Sequence, residues 1–111
     1  MDDRGERLAR NEVLFREINE RIADVAEPQA DPHDEHLYEF FCECSNTDCT
    51  LRVKLTVGTY EHVRQDPTQF IVAPGHELPE IESVVSRTND YEIVRKHGEA
   101  AELAEDTDPR S

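Results

Sequence analysis

Cys42-Glu43-Cys44-Ser45-Asn46-Thr47-Asp48-Cys49 places three cysteines in eight residues, and the chain has no others. A histidine follows 27 positions after Cys49, in Pro74-Gly75-His76. The pattern is C-x-C-x4-C…H. Three sulfurs and one imidazole are a set that a tetrahedral structural Zn²⁺ takes. In an extended strand, residues two apart share a face but lie roughly 6–7 Å from each other. Two sulfurs on one zinc lie about 3.8 Å apart. The chain must therefore curl at Glu43, and Asn46 and Asp48 suit the tight turns that bring Cys49 back.

The expected ligands are Cys42, Cys44, Cys49 and His76. Pro74 and Gly75 favour His76, because a rigid turn after a strand fixes a side chain. His62, on a short helix, is the alternate fourth ligand; His33, His36, a carboxylate or water remain open. The competing reading is a reduced thiol cluster without metal. Three cysteines among polar turn residues do not look like core packing. A redox switch is a further option, although acidic neighbours (Glu39, Glu43, Asp48) raise thiol pKa values and slow thiolate chemistry.

Working outward, Leu37-Tyr38-Glu39-Phe40-Phe41-Cys42 reads as a strand delivering the first cysteine. Residues 50–57 alternate, with Leu51, Val53, Leu55 and Val57 on one face and Arg52, Lys54 and Thr56 on the other. Together they predict a hairpin whose loop is tied by zinc. Gly58 ends the second strand, Thr59 caps a short helix, and Pro67 stops it. Phe70–Ala73 is a short apolar strand. Residues 80–87 and 91–96 predict a second hairpin.

Upstream, residues 6–26 predict an amphipathic helix. Leu8, Leu14, Phe15, Ile18, Ile22 and Val25 form its stripe, and Arg and Glu fill a solvated opposite face. The stripe is expected to be covered by the domain's own sheet or by a second copy. Glu17 and Arg21 have the i,i+4 spacing expected of an ion pair on one helix. The resulting fold class is α+β: a small antiparallel sheet with a zinc-tied hairpin, packed by the N-terminal helix. The expected segments are this helix (1–27), an acidic Pro-containing linker (28–36), the zinc-binding domain (37–97) and an acidic disordered tail (98–111) that opens with a frayed helical turn.

Several of these segments resemble a group of short, largely uncharacterised bacterial proteins of actinobacterial type. The resembling residues are Arg10-Asn11-Glu12, Leu14-Phe15-Arg16, Asn19-Glu20-Arg21-Ile22, Phe41-Cys42-Glu43-Cys44 with Cys49, Pro67-Thr68-Gln69-Phe70 and Val72-Ala73-Pro74-Gly75-His76-Glu77. They span most of residues 10–97. The group's usual glycine at position 45 is Ser45 here. The resemblance implies a shared fold and a shared site, and brings no activity with it.

Charge narrows the function. The 111 residues carry 26 acidic and 12 basic side chains, a net charge of −14. Acidic groups outnumber basic ones 11 to 5 in residues 1–36, 10 to 6 in 37–97 and 5 to 1 in 98–111. Such a surface repels a phosphate backbone, so direct nucleic-acid binding is disfavoured. A protein partner, and a basic one in particular, fits the field. No apolar run reaches transmembrane length, and Met1-Asp2-Asp3-Arg4 lacks the apolar core of a signal peptide. A cytoplasmic location is expected, where clustered thiols stay reduced and serve as metal ligands. Oligomeric state is open.

The favoured function is a protein-interaction or regulatory module with structural zinc, and no catalytic residue is assigned. One alternative is an acidic mimic of nucleic acid that binds a basic protein. The other is a zinc-dependent hydrolase with Glu77 as general base. No Ser-His-Asp set, phosphate loop or helical H-E-x-x-H supports the hydrolase.

Overall fold

The computed structural model describes residues 3–26, 36–46 and 48–110. Helix α1 (Asp3–Ala26) leads to strands β1 (Tyr38–Phe41) and β2 (Arg52–Leu55). Helix α2 (Val57–Val63), strands β3 (Gln69–Val72), β4 (Glu82–Arg87) and β5 (Glu92–Lys96), and helix α3 (Gly98–Asp106) follow. The architecture is α+β, with α1 packed on small antiparallel sheets. There are two sheets: the β1–β2 pair, and a three-stranded sheet in the order β3-β5-β4. The expected linker lies outside the described residues except for His36.

Strand alternation works as predicted in β2, where Val53 and Leu55 are buried while Arg52 and Lys54 face water. Pairing puts Phe40 opposite Val53 and Tyr38 opposite Leu55. The strand stops earlier than the sequence suggests. Thr56, not Thr59, caps α2: its hydroxyl accepts from the Thr59 amide at 3.1 Å, so Val57 already belongs to the helix. Tyr60 of α2 stacks on Phe40, with ring centroids 4.6 Å apart. These two rings join Phe70, Ile71, Val72 and Val94 in the main core. A register shift between Val84 and Ser86 interrupts β4, and Val85 is exposed there.

Helix α1 is rotated from the expected orientation. Phe15 of the predicted stripe is buried with Val13, but so are Ala9, Glu12, Arg16, Asn19, Glu20, Ala23 and Ala26. Leu14 and Val25, both placed in the predicted stripe, are exposed. At 100° per residue, the buried face is turned by about a third of a circle from the apolar stripe. Periodicity finds the helix but not the side that docks. Buried charges must be paired to be tolerated. Arg16 donates to the carbonyls of Pro67 and Ala104 at 2.8 and 3.0 Å. Glu12 and Glu82 share the ammonium of Lys96. Glu20 accepts from Arg64 at 2.6 Å, and Arg64 also pairs with Asp108.

Residues 98–106 correct the expectation of a disordered tail. They form α3, whose Ala100 and Ala104 are buried. Small side chains let α3 approach closely, and Ala100 shares a minor core with Ala9 and Ile81. Polar partners complete the docking. Arg110 forks onto Glu61 at 2.8 and 2.8 Å and reaches Glu20 at 2.9 Å. Composition alone reads such an Ala/Glu/Asp stretch as solvated, because the groups that receive it are distant in sequence.

Candidate metal centre

Strand β1 delivers Cys42, and the chain then leaves regular pairing. The Cys42 amide donates to the Leu51 carbonyl at 3.2 Å, which closes the hairpin behind the loop. Glu43 turns inward, as a curl at this point requires. Its amide donates to the Ile71 carbonyl at 2.8 Å, and its carboxylate accepts from the Ile71 amide at 2.9 Å. The return to Cys49 is a tight turn: Asn46 Oδ1 accepts from the Asp48 amide at 3.0 Å, and the Asn46 carbonyl accepts from the Cys49 amide at 3.0 Å.

The fourth group arrives from β3. Ala73-Pro74-Gly75-His76 closes with a His76 amide bond to the Ala73 carbonyl at 3.0 Å, and Gly75 has φ of +83°. Proline followed by a residue at positive φ is the signature of a type II turn, and glycine meets that φ without strain.

Cys42, Cys44, Cys49 and His76 thus converge. One donor atom from each lies within 4.8 Å of all the others, a grouping that can hold a metal ion. His76 Nδ1 is 3.6 Å from Cys42 Sγ and 3.7 Å from Cys49 Sγ. Cys42 and Cys44 are buried, while Cys49 and His76 are half-buried, which leaves one side approachable. The Ala73 amide donates to Cys42 Sγ at 3.1 Å, an interaction that favours the thiolate form that ligation requires. As thiols, the three divide their protons unevenly. The hydrogen bond with Cys42 lowers Cys44 to about 5. That bond, followed by burial, pushes Cys42 up, and burial raises Cys49.

The other candidate histidines among the described residues stand apart. His62 on α2 is exposed and outside the group. His36 packs edge-on against Tyr38. His33 lies outside the described residues. Glu77, the candidate base, is bound to Arg87 at 2.9 Å. That hydrogen bond holds its carboxyl below the usual range.

Sequence reasoning missed the frame around the loop. Two asparagines of α1, eight residues apart, grip it. Asn11 Nδ2 donates to the Ser45 carbonyl at 2.8 Å. Asn19 holds the Phe41 peptide and donates to Glu43 Oε2 at 2.9 Å. Tyr60 Oη donates to the same carboxylate oxygen at 2.9 Å. Burial raises the Glu43 carboxyl, and these donors draw it back. A signal was present in the sequence. Asparagine is a poor helix former, so Asn11 and Asn19 inside a long helix called for a tertiary reason.

Among the described residues, no helix is long and apolar enough to cross a membrane. Comparison of the chain with family models, curated proteins and solved structures returns no match.

Proposed function

We propose that this protein is a small cytoplasmic interaction or regulatory module built around one structural Zn²⁺, with Cys42, Cys44, Cys49 and His76 as its ligands. The convergence of the four donor atoms carries this reading. Tetrahedral zinc with Zn–S of about 2.3 Å and Zn–N of about 2.0–2.1 Å requires S···N edges of about 3.6 Å. The two recorded sulfur-to-Nδ1 distances are 3.6 and 3.7 Å. Bound there, zinc would supply four bonds tying the β1–β2 loop to the turn after β3.

Four protein ligands fill a tetrahedron and leave no open position, which favours a structural over a catalytic ion. The engagement of Glu77 by Arg87 weakens the hydrolase alternative. The nucleic-acid mimic loses some ground too, because Glu12, Glu20, Glu43, Glu82 and Glu92 are buried and unavailable as phosphate surrogates. A protein partner remains part of the proposal, and a basic one suits the acid excess. Kinship with the actinobacterial-type group is likewise proposed, on the motifs alone.

Elemental analysis of protein purified without added metal is the test. A zinc-to-chain ratio near one, with all three thiols blocked until chelator is added, supports the reading. Folded, metal-free protein with three freely titrating thiols refutes it.

A further inference from the structure

The outward face of α1 is mostly charged, yet it carries two large apolar side chains. Leu14 is 50 % exposed and Val25 71 %. Ile18 and Ile22 between them are only half-buried. Ile18, Ile22, Val25 and Ala26 line a shallow, mainly apolar groove of about 520 Å³ with Tyr38 and Phe41 of β1. Exposed apolar surface of this kind marks an interaction site. Residues 27–35, which join α1 to β1, read Glu-Pro-Gln-Ala-Asp-Pro-His-Asp-Glu. They contain no Leu, Ile, Val, Phe or Tyr, so this segment has no large apolar side chain to offer the groove.

Charge and spacing identify the occupant. Leu14, Ile18, Arg21 and Val25 recur at intervals of 4, 3 and 4, the spacing of a two-helix seam with one charged member. Glu17 and Arg21 are both exposed, and neither has an ion-pair partner among the described residues. We propose that α1 packs antiparallel against α1 of a second copy, about a two-fold axis near residues 19 and 20.

In that arrangement Leu14 meets Val25 of the other copy, and Ile18 meets Arg21. Arg21 then lies beside Glu17 of the other copy, and the two-fold repeats every contact. A parallel pair would instead set Arg21 against Arg21, which like charge opposes. The surface is therefore self-complementary in one orientation, as an isologous interface requires. Tyr38 and Phe41 extend the apolar floor on one flank.

Sedimentation of the full chain as purified, from about 5 µM to about 500 µM, tests this. A reversible monomer–dimer equilibrium is expected. Leu14→Asp and Val25→Asp should each hold the chain monomeric at the highest concentration. Both side chains are exposed in the single copy, so the fold, followed by circular dichroism, should be unchanged. Glu17→Arg and Arg21→Glu should each weaken the dimer about fivefold or more, and the double variant should restore it, because its pairs are merely reversed. A chain that stays monomeric throughout overturns the proposal, even if the same face binds an unrelated protein. So does a dimer indifferent to Val25→Asp, or a double variant no tighter than the single ones.

Discussion

Asn19 grips the Phe41 peptide at both ends: its Oδ1 accepts from the Phe41 amide at 2.8 Å, and its Nδ2 donates to the Phe41 carbonyl at 2.8 Å. An edge strand normally offers these groups to water or to another strand. Here a helix satisfies them, one residue before the first cysteine. The same amide reaches Glu43, so one side chain orients both flanks of Cys42.

Asn19→Ala should therefore destabilise the protein by about 2–4 kcal/mol, since it strands a buried peptide and one carboxylate donor. It should also weaken metal retention, because the loop loses its frame. Urea unfolding and competition with a chromogenic chelator measure the two effects. If stability drops while metal affinity holds, Asn19 supports the helix packing alone.

Cys44→Ser should lower the melting temperature sharply or abolish folding. A structural zinc site can contribute on the order of 10 kcal/mol of binding free energy. Chelator added to the parent should reproduce the effect, and zinc should reverse it. A variant that melts with the parent would mean that the core carries the fold by itself.

Removal of residues 98–110 should be severe. Arg16 would lose the Ala104 carbonyl, Arg64 would lose Asp108, and Ala9 and Ile81 would lose Ala100. A fall in melting temperature of more than about 10 °C, or aggregation, is expected. A silent truncation would return this segment to the status of a solvated tail.

Glu12 should make stability depend on pH. Burial holds its carboxyl well above the ordinary value; Lys96 pulls it down and Glu82 pushes it further up. Its folded pKa exceeds the unfolded value of about 4.3. The associated stability is thus fully present below that pH and is lost as pH rises through the folded value. Glu12→Gln should remove this component, so its advantage over the parent should grow toward alkaline pH. Urea midpoints at acidic and at mildly alkaline pH provide the measurement. Parallel profiles for the two proteins would show that Glu12 does not carry the effect.

Local rules made the elements legible. Alternation at Val53 and Leu55 located β2, and the spacing in 6–26 located α1. Proline and glycine before His76 marked the turn that presents it. Each of these follows from backbone geometry over a few residues. The grouping of Cys42, Cys44, Cys49 and His76 was legible for a similar reason: ligand chemistry tolerates few residue types, and the chain offers few of them.

Which way α1 faces is a different matter, because a helix shows its periodicity to every neighbour alike. Leu14 and Val25 outweigh Glu12 and Arg16 on any hydropathy scale. Glu12, Arg16, Asn19 and Glu20 dock beside Val13 and Phe15 because Lys96, the Pro67 carbonyl, Phe41 and Arg64 wait there with complementary groups, 22 to 84 residues distant in sequence. The same holds for α3 and for the Glu43 anchor. The sequence by itself determined α1, the approximate strands and the four residues that group as candidate ligands. Tertiary structure alone decided which buried charges found partners, since a buried charge is tolerated only when a group far along the chain arrives to pair with it or to hydrogen-bond to it.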